Sequence, residues 1–261
     1  MKYLFSQEGR NLLESLTFTE TVFGFDFDGT LAPIVSDPAK AKMSSITHRL
    51  TSELSALVPV AIISGRSVTD LKERLNFNPA YLIGNHGLEG LGINTGAFKS
   101  ARENCIQWKK QLITRNSILK EDPGIHVEDK GYSLALHYRK SRNKKSARTF
   151  LFKRLEALRP PPRIVLGKSV INLIPVGAPH KGVALLEIMM ELGLRAALYV
   201  GDDDTDEDVF SLPDERIISV RVGQKKSSHA KFFVKRQTEV QRILRELVRI
   251  LNRTQKRERE R

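Results

Sequence analysis

Three short apolar runs each end in a loop that carries reactive side chains. In chain order these loops contain Asp26 and Asp28, then Ser64 and Gly65, then Asp202, Asp203 and Asp206. A lysine, Lys181, opens a predicted helix between the second and third loops. Ligands of open parallel sheets bind beyond the carboxyl ends of the strands. We therefore expect the three loops and the lysine to meet at one edge of one sheet.

Such a cluster of carboxylates favours a metal ion. Carboxylates packed together repel one another, and ligand sets made only of oxygen suit a hard cation, with Mg²⁺ the usual choice beside a phosphate. The sequence has no cluster of Cys and His that would favour zinc. A bound Mg²⁺ lets an anionic nucleophile approach an anionic substrate. The residues therefore predict phosphate chemistry with Mg²⁺ as the cofactor.

The spacing within the first loop suggests two roles. A carboxylate at a strand end, such as Asp26, is a competent nucleophile that can form an acyl phosphate. Asp28, two residues along, can protonate the leaving oxygen and later activate water. The Ser64 hydroxyl and the Gly65 N–H can bind phosphate oxygens, and Lys181 can balance the remaining negative charge.

The elements around these loops predict an α/β fold. Strands are predicted at 22–27, 58–63, 81–83, 196–200 and 217–220, with helices at 44–57, 68–75 and 181–192 and an amphipathic helix from 240 onward. This alternation predicts a Rossmann-like core, a parallel sheet with helices on its faces.

The middle of the chain breaks this alternation. Helices are predicted at 102–119 and 145–158, and strands at 132–138 and 169–174, with a proline break at 160–162. The pattern predicts an inserted α+β cap at 92–176, with core segments at 1–91 and 177–261.

The reactive residues resemble the four ordered motifs of the haloacid dehalogenase superfamily. These are the Phe-Asp-Phe-Asp-Gly-Thr-Leu run at 25–31, Ser64, Lys181 and the Gly-Asp-Asp run at 201–203. The resemblance implies that Asp26 is the nucleophile and Asp28 the general acid/base. It also implies that Mg²⁺ is bound by the Asp26 carboxylate, the Asp28 carbonyl and Asp202, with Asp203 and Asp206 holding metal-bound waters or orienting the loop.

A narrower resemblance, to the trehalose-6-phosphate phosphatases, covers nearly the whole chain. It rests on six runs at 64–66, 84–89, 127–131, 136–139, 180–182 and 201–208. It implies a cap that closes over the sugar, and a substrate-binding set of Arg66, His86, Glu128, Lys130 and a residue at position 172. The expected reaction is the hydrolysis of trehalose 6-phosphate to trehalose and phosphate.

One strand departs from that family's pattern. The family usually has a glutamate and, two residues later, a basic residue, where this chain has Asn172 and Ile174. A neutral amide replaces a charge-assisted grip on the sugar, and a lost polar partner can redirect specificity. Another glycosyl phosphate, such as glucosylglycerol phosphate, is therefore the alternative substrate.

Simpler roles remain open for several of these residues. Glu128 and Lys130 alternate on one strand face and could form a surface pair. His86 could hydrogen-bond within a turn, and Arg66 could be an ordinary ion-pair partner. His137 and His180 are interpreted as structural.

The net charge of +13 raises a different class of function, nucleic-acid binding. Residues 225–261 carry thirteen Lys and Arg against four Glu, so most of the excess lies in a segment that reads as a solvated helix end. Nucleic acid is therefore kept as an alternative of another class. Neither a signal peptide nor an apolar run of membrane-spanning length is recognised. A single cysteine favours a reducing cytoplasm, and a monomer is expected.

Overall fold

The computed structural model describes residues 1–90, 95–114, 121–167 and 169–259. The chain divides into two compact units. The first joins Met1–Gly90 to His180–Arg261, and the second is Leu91–Pro179. The sequence-based division placed the insertion at 92–176, so the second unit ends three residues later than expected.

The first unit is built on a seven-stranded parallel sheet in the order β1-β11-β10-β9-β2-β3-β4. Its strands are β1 (Lys2–Tyr3), β2 (Thr21–Phe25), β3 (Val60–Ile63), β4 (Tyr81–Ile83), β9 (Ala196–Gly201), β10 (Ile217–Val222) and β11 (Phe232–Val234). Its α-helices are α1 (Gln7–Leu16), α2 (Ser45–Leu57), α3 (Val68–Leu75), α6 (Lys181–Glu191), α7 (Glu207–Phe210) and α8 (Val240–Arg259). Short 3₁₀ turns lie at Pro38–Lys40, Asn85–Gly87, Asp204–Asp206 and Gln237–Glu239.

Strand β2 lies in the interior of this sheet, next to β9, its middle strand. All five of its residues are buried, as expected for a parallel strand covered on both faces. It pairs with β3 on one side and with β9 on the other. Successive strands of the chain are therefore added to opposite sides of β2, so the strand order changes direction there. Such a reversal opens a crevice at the carboxyl ends of the strands. The ends of β2 and β9 border that crevice.

Local capping fixes where the core helices begin. Ser44 accepts a hydrogen bond from the Thr47 N–H at the start of α2, and Ser67 accepts one from the Asp70 N–H at the start of α3. The last helix, α8, buries an apolar stripe against the sheet and α2, and this stripe consists of Val240, Ile243, Leu244, Leu247, Val248 and Leu251.

The second unit has a four-stranded antiparallel sheet in the order β5-β6-β8-β7. Its elements are α4 (Thr95–Thr114), β5 (His126–Asp129), β6 (Leu134–His137), α5 (Lys144–Leu155), β7 (Pro162–Gly167) and β8 (Val170–Pro175). One face of this sheet packs against α4 and α5 in a separate apolar core that includes Trp108, Leu134, Leu136, Leu151, Ile171 and Leu173. The α/β fold with an inserted α+β unit is thus confirmed.

Several elements differ from the sequence-based expectation. Helix α1 and strands β1, β7 and β11 were not predicted. The prolines at 160–162 suggested a break, yet Pro162 begins β7, because proline is tolerated at the first residue of an edge strand. The end of the helix predicted at 102–119 falls partly on 115–119, outside the described residues. Within the described ranges, no helix is both long and apolar enough to span a bilayer.

Candidate active site at the carboxyl end of strand β2

Asp26 lies at the end of β2 and is held by a buried charge network. Its backbone N–H donates to the Val200 carbonyl of β9 (2.9 Å). The Lys181 ammonium donates to Asp26 Oδ1 (2.7 Å) and to Asp206 Oδ1 (2.8 Å). The three side chains are 7%, 1% and 0% exposed, in the order Asp26, Lys181, Asp206. The structure thus brings three residues from distant parts of the sequence into direct contact.

Asp206 organises the loop that follows β9. Besides Lys181, its Oδ1 accepts from the Tyr199 hydroxyl (2.8 Å), while Oδ2 accepts from the backbone N–H groups of Asp202 and Asp203 (2.9 Å each). Four donors therefore occupy the two oxygens of this buried carboxylate, and they fix its rotation. Tyr199 was missed by the sequence reading, although a lone tyrosine in an otherwise aliphatic strand was a usable signal.

Gly201 makes this arrangement sterically possible. A Cβ at position 201 would lie 2.2 Å from the Asp206 Cγ, closer than real Cβ contacts come. The carboxylate can fold back on the strand end only because the residue there has no side chain.

Three carboxylates form a group that could hold a metal ion. Asp26, Asp202 and Asp206 each offer an oxygen, and these oxygens lie within 4.8 Å of one another. Asp202 Oδ1 is buried, and no hydrogen-bond partner for it is found among the described residues. A buried acceptor without a donor is costly, and a cation would satisfy it. Ligands of oxygen alone suit a hard divalent cation.

The pKa values of this group respond to burial and to mutual repulsion. Burial raises the pKa of Asp26 to about 7, against the attraction of Lys181, and the Asp206 charge adds to the rise. Burial also raises the pKa of Asp202 to about 9, with further contributions from Asp26 and Asp206. Lys181 keeps its charge, because the two aspartates outweigh the burial that would lower its pKa. Strongly raised carboxyl pKa values in one cluster are typical of functional sites.

Asp203 also lies in this acidic loop. Its Oδ1 accepts a hydrogen bond from the Asp204 N–H (2.8 Å) and caps the 3₁₀ turn Asp204–Asp206. Burial raises the pKa of its carboxyl group. Its visible contacts are therefore those of a residue that shapes the loop.

Asp28 forms an ion pair with Arg66. The guanidinium donates from Nε to Asp28 Oδ2 (2.5 Å) and from Nη2 to Asp28 Oδ1 (2.7 Å), a bidentate pair. Arg66 Nη1 also donates to Asp70 (2.7 Å), and Asp70 in turn pairs with Arg74. The sequence reading placed Arg66 at the sugar, whereas its contacts here match the ion-pair alternative. Asp70 was missed, although its four-residue spacing from Arg66 and Arg74 was visible.

The loop after β3 is close to the turn after β4. Ser64 is buried, and its Oγ accepts from the Arg66 N–H (3.3 Å). A Cβ at Gly65 would lie 2.5 Å from the His86 ring. His86 is itself buried and has a left-handed backbone conformation (φ 61°). The structure thus places His86 against the candidate phosphate-binding loop.

The same turn touches the start of α6. Gly87 has a φ of 113°, and a Cβ there would lie 2.6 Å from the His180 backbone carbon. The His180 side chain caps α6 by accepting from the Gly182 N–H (3.2 Å). The turn and this cap together set the position of Lys181, the first residue of the helix.

The three predicted sugar-binding residues of the second unit lie on one face of its sheet. Glu128 and Asn172 each pair in register with Ala135 of β6, and Lys130 continues the alternation of β5. Their face is opposite to the one that packs on α4 and α5. Glu128 Oε2 lies 2.7 Å from the Nε2 atom of His137, and the Asn172 amide donates to the Val165 carbonyl (3.4 Å).

The first unit combines a parallel sheet with a group of carboxylates, at the end of β2, that could hold a metal ion. This combination defines a fold of the haloacid dehalogenase class. Three solved structures share the fold. A trehalose-6-phosphate phosphatase related protein aligns with a TM-score of 0.73 at 24% identity, covering 89% of this chain and 99% of that one. The C-terminal domain of the Candida albicans trehalose-6-phosphate phosphatase gives 0.71 at 23% (92% and 96% covered). The Aspergillus fumigatus trehalose-6-phosphate phosphatase gives 0.60 at 25% (95% and 99% covered).

Residues 24–238 match the sequence model of the trehalose-phosphatase family, and the chain belongs to that family. It is 34% identical over 207 residues to the trehalose-phosphate phosphatase of Mycobacterium ulcerans, covering 76% of this chain and 52% of that protein. It is 29% identical over 213 residues to trehalose-phosphate phosphatase B of Arabidopsis thaliana, covering 76% and 57%. The chain thus spans about half the length of these relatives.

Proposed function

We propose that this protein is a Mg²⁺-dependent phosphatase that hydrolyses trehalose 6-phosphate to trehalose and phosphate. The observation that carries the proposal is the buried contact of Lys181 with Asp26 and Asp206 at the end of β2, in a chain of the trehalose-phosphatase family. The names of the curated relatives support the choice of substrate.

The reaction proceeds in two displacements at phosphorus. A carboxylate oxygen of Asp26 attacks the phosphorus and the bond to the sugar oxygen breaks. Asp28, protonated and released from its pair with Arg66, supplies the proton that the leaving oxygen takes up. Water then attacks the aspartyl phosphate, gives its proton to Asp28 and releases phosphate. Ser64 and the Gly65 N–H bind phosphate oxygens, while Lys181 offsets negative charge and holds the rotation of the Asp26 carboxylate.

Mg²⁺ is the metal that these ligands favour. The Asp26 and Asp202 carboxylates and the Asp28 carbonyl would hold it, with Asp203 and Asp206 shaping the loop around it. When bound, the ion neutralises the carboxylates and polarises the phosphate.

The sugar is recognised by the sheet face that carries Glu128, Lys130 and Asn172. The ionised Glu128 and Lys130 suit hydroxyl groups as acceptor and donor, and Asn172 adds a neutral amide. In the first unit, His86 and Arg66 are the residues that we propose to contact the substrate. We further infer a cytoplasmic enzyme, on the basis of a single cysteine, which is buried, and we propose that it acts as a monomer.

Phosphate release from a panel of sugar phosphates tests the proposal. The panel contains trehalose 6-phosphate, glucose 6-phosphate and glucosylglycerol phosphate, each with Mg²⁺ and with EDTA. We expect trehalose 6-phosphate to give the highest kcat/KM and EDTA to abolish turnover. High activity on glucosylglycerol phosphate with little on trehalose 6-phosphate would reassign the substrate and leave the chemistry in place. Full activity in EDTA would exclude the metal.

A further inference from the structure

The sheet of the second unit presents its side chains in rows that cross all four strands. One row is Glu128, Ala135, Asn172 and Val165, because each residue pairs in register with the next. Partners in register point to the same face of a sheet. This row therefore lies wholly on the face opposite to α4 and α5, and it contains two of the proposed sugar-binding residues.

The next row on that face is Lys130, Ser133, Ile174 and Arg163. The Lys130 N–H donates to the Ser133 carbonyl (3.0 Å), and Arg163 pairs in register with Ile174. The row has a cation at each end. The alternation of β7 confirms the side, since Leu166 belongs to the opposite, helix-covered core while Val165 and Arg163 do not.

Arg163 is therefore a diagonal neighbour of Asn172, because the register partner of Asn172 is Val165, two residues along β7 from Arg163. Diagonal neighbours in a sheet lie about 7–8 Å apart, within reach of a long side chain. The guanidinium is planar and carries five N–H donors, so it can bind two neighbouring hydroxyl groups at once. Ile174, its register partner, has no polar side-chain atom to offer.

We propose that Arg163 is a specificity-determining residue that donates hydrogen bonds to the sugar hydroxyls on the same sheet face as Glu128 and Asn172. The proposal rests on the proposed function, since it assigns a further residue to the sugar side of that substrate. The pairing explains why this position is suitable. Arg163 lies on the edge strand β7, directly opposite Ile174 of β8, so the two side chains share a face.

The test is steady-state kinetics of Arg163→Ala, Arg163→Gln and Arg163→Lys on trehalose 6-phosphate and on an aryl phosphate. Loss of a charge-assisted hydrogen bond should raise KM for trehalose 6-phosphate roughly tenfold at nearly constant kcat. The aryl phosphate has no sugar, so its kcat/KM should be unchanged. Lysine should recover part of the affinity, because it keeps the charge but lacks the planar fork.

Two further variants separate this role from a structural one. Arg148→Ala removes an exposed arginine from α5, on the other side of the unit, and should leave every constant unchanged. The double variant Arg163→Ile with Ile174→Arg moves the cation to its register partner and should restore much of the affinity.

Wild-type KM in all Arg163 variants, or an equal loss on both substrates, overturns the assignment. If the wild type fails on trehalose 6-phosphate but hydrolyses another glycosyl phosphate, the proposed substrate is wrong. The same variants are then measured on that ester, where an unchanged KM overturns the role of Arg163.

Discussion

The charged residues proposed for function lie in different environments in the two units of this protein. In the first, Lys181, Asp26 and Asp206 are almost fully buried, and the lysine pairs with the two aspartates at 2.7 and 2.8 Å. In the second, Glu128 pairs with His137 while 44% of its side chain stays exposed. Removing one member of a buried cluster leaves the others uncompensated, whereas exposed pairs contribute about 0–1 kcal/mol. We therefore expect the residues proposed for chemistry to depend on one another, and the exposed Glu128 to be replaceable at little cost in stability.

The largest effect is expected for Asp26→Asn, which tests the proposed nucleophile in the buried cluster. Loss of the nucleophile should lower kcat by about 10⁴-fold or more, since removal of a nucleophile typically costs several orders of magnitude. Substrate should still bind, because the amide keeps the shape of the side chain. Phosphate release and calorimetric titration with trehalose 6-phosphate measure the two effects. Near-normal turnover would mean that another residue is the nucleophile. Asp214→Asn, at a surface pair with Arg216, is the control.

Lys181→Met tests the buried cluster as a unit of stability. Two buried carboxylates would lose their only ammonium partner within the described network, so the free energy of unfolding should fall by about 3–5 kcal/mol. Urea unfolding measures it. Lys109→Met removes a lysine whose side chain is 45% exposed and which pairs with Asp129, and it should cost about 0–1 kcal/mol. Equal losses in the two variants would refute the contrast between the units.

Glu128→Ala tests the exposed residues proposed for sugar recognition. We expect KM for trehalose 6-phosphate to rise roughly tenfold, with little change on an aryl phosphate, since one charge-assisted hydrogen bond to the sugar is lost. Glu121→Ala is a matched control, because Glu121 is 46% exposed and also paired, with Arg154. A parallel loss on both substrates would show that Glu128 supports the fold rather than the sugar.

The smallest effect expected is a pH-dependent stabilisation by Mg²⁺. The folded-state pKa values of Asp26 and Asp202 are raised to about 7 and about 9, above about 3.9 for an unfolded aspartate. The metal-free folded protein therefore binds more protons than the unfolded chain, and its stability falls as the pH rises from about 4 to about 9. Mg²⁺ replaces those protons, so the rise in Tm with Mg²⁺ should be larger at pH 8.5 than at pH 5.5. A constant or reversed difference in thermal melts would place the metal elsewhere.

Much of the first unit could be anticipated from its sequence. The apolar runs before Asp26, Ser64 and Asp202 fixed the strands, and a parallel sheet necessarily gathers their carboxyl ends. The partners of long side chains could not be anticipated, because they depend on rotamers and on neighbours distant in sequence. Asp70, four residues after Arg66, is a partner that the sequence makes visible, and only the coordinates show that the Arg66 guanidinium also binds Asp28.

The second unit was harder to predict for a different physical reason. Its strands are short, and β7 begins at the last of three prolines, so propensity alone argued against a strand. The pairing with β8 overrides that propensity. Register, which decides that Arg163 and Asn172 share a face, follows from pairing and is invisible in a single strand.

The position of β2 between β3 and β9 also has a consequence for how the protein is made. On the ribosome, Asp26 emerges 155 residues before Lys181, and the neighbouring strand β9 follows later still. At about 5–20 residues per second, roughly eight to thirty seconds pass before the aspartate can meet its lysine. During that interval the second unit is synthesised whole and can fold on its own core, while β2 waits with one unpaired edge. The cluster of Asp26 and Lys181 therefore cannot form until the last third of the chain is translated. Until then, the unpaired edge of β2 is where chaperone binding or aggregation would begin.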